Sequence, residues 1–332
     1  MNPVEEISKL ATGHWISQMV FAFVENKMAD AFDGKEQSSD TIANECGLRE
    51  DSTYRLLRAL STIGVVTQNV NNQKMFELSE TGSFLTQSHP MSMANKVLLE
   101  ASVEHVQMWT HLSEYLKTGE HAPSKIFGLD NYFGLFDSNP EYVKKFSNAM
   151  GSYTNDEIAM INAMETLDFS SIDRMVDIGG AFGSLLLSIL EQNPNMKGTL
   201  FDLESVTSHV EATSKMEVIG GDFFSSVPAD SDGYFLKHIL HDWNDEMCLK
   251  ILGNIVDVMK PNAKIFIAEF GPVPSANEPH LSKFFDLHMM IALHGKERTL
   301  KEWEELLSKV GLKIDTLHQS FGPLSVIEAS SI

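Results

Sequence analysis

Apolar positions in the first part of the chain recur mainly at helical spacing. In "WISQMVFAFV", Ile16, Met19, Val20 and Phe23 share one stripe, which predicts an amphipathic helix packed on the chain's own core or on a subunit partner. The run is too short to span a bilayer. "SSDTIANECGLREDSTYRLLRALSTIGVV" opens with Ser and Asp, carries an apolar helix, stops at Gly47 and starts a second helix at Asp51. "VVTQNVNNQKMFELSETG" then reads as two short strands about a polar Asn-Asn turn. Two helices followed by a hairpin are the outline of a winged helix. Residues 91–165 predict further helices around a looser, Gly-dotted piece, "TGEHAPSKIFGLDNYFGLFDSNPEY".

From about residue 172 the rhythm changes. Short apolar strands, "RMVDIG", "KGTLFDL", "MEVIGGD", "GYFLKHIL" and "AKIFIAEF", alternate with helical stretches, the pattern of a parallel sheet with helices on both faces. The tail, "LKIDTLHQSFGPLSVIEAS", predicts an edge hairpin turned at Gly322-Pro323. Ligands of such α/β sheets bind at the carboxyl ends of the strands. Here those ends carry Asp177 to Gly183, Asp202, Asp222, His241 and Glu269.

Length and charge narrow the use of these elements. A chain of 332 residues exceeds one ordinary core and predicts two domains. A net charge of −21 repels phosphate backbones and anionic lipid, so neither nucleic acid nor a membrane is an expected partner. The second helix of the winged-helix outline carries only Arg55 and Arg58 as bases; packing or dimerisation is its expected use, not DNA reading. Cys46 and Cys248 form no CxxC pair and fit a reduced, cytoplasmic protein. "MNPVEEISKL" is acidic and lacks the basic start of a signal peptide. So acidic a surface tolerates a cationic ligand.

The chemistry follows from the strand ends. "VDIGGAFGSLL" is a strand, a Gly-rich turn and a helix, but it fails the dinucleotide spacing because Ala181 and Ser184 stand where glycines should. Asp177, two positions before the first glycine, is awkward beside a pyrophosphate and suits a cofactor with an ammonium group. Asp202 ends the second strand, where a carboxylate accepts ribose hydroxyls; Asp222 and Phe223 follow the third and suit an adenine ring. Three carboxylates at successive strand ends describe an S-adenosylmethionine site better than a nicotinamide one. In "HILHDWNDE", alternation puts His238 on the strand face of Tyr234, Leu236 and Leu240, where packing is its expected role. His241 lies past the strand end, where a base for a hydroxyl belongs. With no cysteine or third histidine nearby, no metal is expected. Asp242 and Asn244 are the expected N-caps of the following helix.

"VDIGGAFG", "FDLESV", "GGDFFSSVP", "FLKHILHDWNDE", "IAEF" and "GKERTLKEWEELL" occur in that order. In this the chain resembles the small-molecule O-methyltransferases of the plant caffeate and animal hydroxyindole type, which have bacterial and fungal relatives in natural-product pathways. The match covers the catalytic half, with HDW plus KERT its specific part, and the N-terminal outline agrees with the family's dimerisation domain. The resemblance implies an α/β fold: a class I methyltransferase, Rossmann-like sheet, parallel with an antiparallel edge hairpin, plus a mostly helical, winged-helix-like dimerisation domain. It implies boundaries at 1–100 for dimerisation, 101–165 for a helical connection contributing to the substrate pocket, and 166–332 for catalysis, and a homodimer. S-adenosylmethionine would be held by Asp177, Gly179, Asp202, Asp222, Phe223 and Lys237. His241 would be the general base, oriented by Glu269 and Glu297. A small-molecule acceptor, aromatic or polyketide-like, would lie against Phe146, Met150, Met289, Met290 and His294. The turn Gly179-Gly180-Ala181-Phe182-Gly183 departs from the family's usual three glycines and a small residue. That departure favours a rival: a member that binds the cofactor but catalyses a pericyclic, decarboxylating or hydroxylating step. Retention of His241 with both glutamates favours methyl transfer to a hydroxyl.

Overall fold

The computed structural model describes residues 2–130 and 132–332. They form two compact units: Met1–Thr110 with Gly134–Asn155, and His111–Phe133 with Asp156–Ile332.

In the first unit the helices Ser39–Cys46 and Glu50–Ser61 follow the predicted starts and stops. The Ser38 side chain caps the first, and Gly47, at φ 68°, ends it in the left-handed conformation that glycine adopts without strain. Strands β1 (Gln37–Ser38), β2 (Val66–Gln68) and β3 (Met75–Leu78) make a small antiparallel sheet in the order β1-β3-β2. Phe23, Met28, Phe32, Leu57, Leu60 and Phe76 form its core. The stripe of the helix Gly13–Glu25 divides: Phe23 is buried and Met19 and Val20 pack on that core, whereas Trp15 and Ile16 face outward. The preceding helix, Pro3–Ala11, buries no residue, and Val4, Ile7 and Leu10 are each more than half exposed. An apolar stripe left open in this way is the surface expected of an interface.

The second unit holds a seven-stranded sheet built from β4 (Arg174–Ile178), β5 (Lys197–Asp202), β6 (Met216–Gly220), β7 (Gly233–Lys237), β8 (Lys264–Phe270), β9 (Leu312–Gln319) and β10 (Leu324–Ser331). Their order is β6-β5-β4-β7-β8-β10-β9. β4 to β8 run parallel, while β10 lies antiparallel between β8 and β9. The tail is therefore the expected edge hairpin, entered so that its second strand reaches β8. Strands such as "KIFIAEF" are apolar at consecutive positions because helices cover both faces. Tyr234, Ile251, Ile255, Ile267, Trp303 and Leu307 sit in one core. This is the class I methyltransferase arrangement. The strand order reverses between β4 and β7, which opens the crevice at their carboxyl ends. No described helix is long and apolar enough to cross a membrane.

Candidate active site

The crevice begins at the turn after β4. Gly179 has φ 69° and Gly183 φ 77°, left-handed conformations that favour glycine; a Cβ on Gly179 would also fall 2.4 Å from Ile239 Cδ1, so that side chain would have to move. Ala181, at φ 51°, takes a left-handed conformation that costs an alanine of order 1 kcal/mol. Its N–H donates to Asp202 Oδ2 at 2.8 Å, and Leu203 N–H donates to Oδ1 at 2.7 Å. Asp202 thus ties the departing turn to the end of β5. Phe182 stands out into solvent. Asp222 sits two residues past β6, accepting Phe224 N–H at 2.8 Å and the Ser225 hydroxyl at 3.3 Å, and Phe223 meets Trp243 edge-on.

Asp177 lies under this turn, 3% exposed, and its Oδ2 has no hydrogen-bond partner. Burial raises its pKa to about 7, with Lys237 pulling it down and Asp202 pushing it up. Lys237 in turn donates to Glu157 at 2.8 Å.

The turn after β7 carries the histidines. Sequence alternation placed His238 within the strand as a packing residue, and the structure corrects this. β7 ends at Lys237, and His238 takes φ 54°. Its Nδ1 lies 3.1 Å from Glu269 Oε2 and its Nε2 2.9 Å from Glu157 Oε1. Periodicity cannot show where a strand stops, so a left-handed residue one step beyond the end is invisible to it. Asp242 is corrected likewise: Asn244 alone caps the helix Asp245–Val256, accepting Met247 N–H at 3.0 Å. Asp242 instead belongs to a short 3-10 turn, with Oδ1 3.4 Å from His241 Nε2.

His241 is 6% exposed. Its Nδ1 is 2.7 Å from Glu297 Oε1 and 3.4 Å from Glu269 Oε2. Glu269 Oε1 accepts the N–H groups of Leu240 and His241 at 3.2 and 3.3 Å, so one carboxylate holds the turn as well as facing its imidazole. Burial pushes His241 toward the neutral form, but the charges of Glu269, Glu297 and Asp242 outweigh it and raise the pKa to about 10. Glu297 is pushed up by its burial and by Glu269, against the pull of His241. Glu269 is held low despite burial by the two histidines.

Two residues that sequence reasoning did not single out complete the frame. Glu157, from the helix Pro140–Asn162, comes from far outside any local motif. Arg298, 1% exposed, directs its guanidinium at Leu240 O (3.1 Å), Trp243 O (3.0 Å) and Asp245 Oδ1 (2.8 Å). Lys296 N–H reaches His241 O at 2.8 Å, so the segment bearing Glu297 is bonded to the turn bearing His241. The adjacent Gly295 backbone lies so close that a Cβ would fall 2.1 Å from His241 O.

The acceptor residues implied by the resemblance fall in both units. Phe146 and Met150 are half-buried in the first, Phe146 against Phe136 and Tyr142. In the second, Met289 is buried and Met290 half-buried on the helix Ser282–Leu293, and His294 ends that helix at φ 64°, against His121.

Comparison with known proteins agrees with this architecture. The O-methyltransferase domain family matches residues 109–313, and the O-methyltransferase dimerisation domain matches residues 8–88. The phenazine O-methyltransferase PhzM of Lysobacter antibioticus is 30% identical over 98% of this chain and 95% of its own. O-methyltransferase 12 of Dictyostelium discoideum is 33% identical over 97% and 89%. The solved structure of CalO1, a methyltransferase in calicheamicin biosynthesis in its S-adenosylhomocysteine-bound form, covers 100% of both chains at 25% identity and a TM-score of 0.89. The chain belongs to the O-methyltransferase family of S-adenosylmethionine-dependent enzymes. Its cofactor is S-adenosylmethionine, and the residues present fit it. The unpartnered Asp177 oxygen is a buried acceptor that an ammonium group would satisfy, and no basic cluster awaits a pyrophosphate at the glycine turn.

Proposed function

We propose that this enzyme methylates a hydroxyl of an aromatic or polyketide-like small molecule, with His241 as general base oriented by Glu297 and Glu269. The 2.7 Å contact between His241 Nδ1 and Glu297 carries the reading. A carboxylate there fixes Nδ1 as the protonated nitrogen and leaves Nε2 to receive the acceptor's proton. When bound, S-adenosylmethionine supplies an electrophilic methyl group. Asp202 receives the ribose hydroxyls, Asp222 and Phe223 hold the adenine, Gly179 lets the backbone approach, and Asp177 with Lys237 flanks the methionine end. Phe146, Met150, Met289, Met290 and His294 are the proposed acceptor contacts. Residues 1–100 serve dimerisation, 101–165 add to the acceptor pocket and 166–332 carry catalysis. The open stripe of Val4, Ile7 and Leu10 supports a homodimer. A cytoplasmic location fits the free Cys46 and Cys248. The test is incubation with S-adenosylmethionine and a panel of phenols: mass spectrometry should show a hydrogen replaced by methyl. Acceptor turnover without that gain would instead support a non-methylating member of the family.

Asp202→Ala is expected to weaken S-adenosylmethionine binding ~10–100-fold, the scale of hydrogen bonds to a charged acceptor. Calorimetry giving wild-type affinity removes the ribose role.

The protonated resting state of His241 sets the pH dependence. Its pKa of about 10 means that activity rises with pH from neutrality toward that value, as the imidazole sheds its proton. Stability moves oppositely. A folded-state pKa raised above the ordinary 6.5 contributes stability that is fully present below that value and is lost as pH rises through about 10. Paired profiles of kcat/KM and thermal unfolding should therefore cross, and a flat activity profile would contradict the base assignment.

A further inference from the structure

We propose that His238 is a positioning residue for methyl transfer: a fixed imidazolium between Glu157 and Glu269 that takes up the charge of Glu269 and so frees His241 to lose its proton. This rests on His241 being the base.

Both ring nitrogens of His238 face carboxylate oxygens, Glu157 Oε1 at 2.9 Å and Glu269 Oε2 at 3.1 Å. An ionised carboxylate only accepts, so both nitrogens must donate and the ring carries a charge. Glu157 is secured as the anion. It is 2% exposed, and although burial opposes its ionisation, His238 and Lys237 hold its pKa well below the usual carboxylate range. The left-handed backbone at His238, outside the end of β7, is the conformation in which the ring bridges both glutamates.

The ring of His238 lies nearly parallel to that of His241, with centroids 4.9 Å apart and 28° between planes. A permanent cation at that separation disfavours a second one. The groups facing His241 are Glu269 from β8, Glu297 from the segment after the helix Ser282–Leu293, and Asp242 on its own turn. Asp286 reaches the site only by accepting Glu297 N–H at 3.0 Å. Lys237 and Glu157 stand behind His238. Against three acidic neighbours, His238 is the one cation stacked on the His241 ring among the described residues. Without it, Glu269 Oε2 keeps its full charge 3.4 Å from His241 Nδ1 and holds the proton there more tightly.

His238→Asn removes the ring and its charge yet tolerates the left-handed backbone; His238→Arg restores a cation with donors for both carboxylates. In the full-length enzyme labelled with 13C-histidine, the NMR titration midpoint of His241 should rise by about one pH unit in the asparagine variant and stay near wild type in the arginine variant. Turnover of the asparagine variant should fall about tenfold at pH 7, with the deficit closing as pH rises and KM for S-adenosylmethionine unchanged. An unmoved midpoint, or a loss equal at every pH, overturns the proposal. If His238→Asn does not fold, Glu157→Gln, which releases the charge on His238, must raise the same midpoint, and its failure to do so also overturns the proposal. Failure of the base assignment has a different signature: the midpoint shifts as described while turnover ignores it.

Discussion

Replacing His241 with alanine is expected to lower methyl transfer ~10²–10⁴-fold, the usual contribution of a positioned general base, while affinity for S-adenosylmethionine stays near wild type. A phenol, with a pKa near 10, is mostly protonated at neutral pH and needs an acceptor for its proton. Asp242, 3.4 Å from Nε2, does not stand in for it: burial raises its pKa to about 6, and it is a weaker base than the imidazole. Glu297 and Glu269 do not stand in either, since both contact the Nδ1 side of the ring. Alanine also leaves Glu297 without its 2.7 Å partner in a buried site. His241→Gln, which keeps a donor toward Glu297, separates that cost from the chemistry. Both variants should lose kcat alike if the proton acceptor is what matters. Retained turnover in either one would remove His241 from the mechanism.

The sheet was legible in the sequence because its strands are short apolar runs, several with a carboxylate at the last or next-to-last position, and helices bury both faces of each run. The glycine turn, Asp202 and Asp222 were legible for the same reason: they sit at fixed offsets from strand ends. His241, Glu269 and Glu297 were legible as residue types within quoted motifs, and the fold brings them within hydrogen-bond reach. His238 was misread because period-two alternation says nothing about the residue at which a strand breaks. Asp242 was misread because a short 3-10 turn intervenes before the helix cap. Glu157 could not be found at all. Its tie to His238 spans 81 positions and runs from the interior of a helix to a strand end, so no local pattern encodes it. The exposed stripe on the helix Pro3–Ala11 was equally hidden, since periodicity identifies an apolar face but not what covers it.

Arg298 offers the second large effect, because its fork holds the turn bearing His241 and the segment of Glu297 together. Its NH1 donates to Leu240 O and to Lys296 O, at 3.1 and 3.2 Å. Its Nε and NH2 bond Asp245 Oδ1, and NH2 also reaches Trp243 O and Cys248 Sγ. The guanidinium lies over Trp303 at 5.1 Å. Removing it strands carbonyl oxygens in a buried site and leaves Asp245 without its cation. Asp245 is exposed and regains water, so the cost is that of the stranded carbonyls: Arg298→Ala should lose ~1–3 kcal/mol, seen as a fall in Tm of ~2–6 °C. Arg298→Lys keeps the charge but not the planar fork, and one ammonium cannot reach carbonyls on both sides of the turn. The lysine variant should accordingly remain folded yet lose kcat, because His241 no longer meets Glu297 at a fixed distance. S-adenosylmethionine affinity should change little, since Asp177, Gly179, Asp202, Asp222 and Phe223 lie at other strand ends, and Lys237, the last residue of β7, donates to Glu157. A lysine variant with wild-type kcat would show that the charge alone suffices and that the fork does not set the geometry of the base.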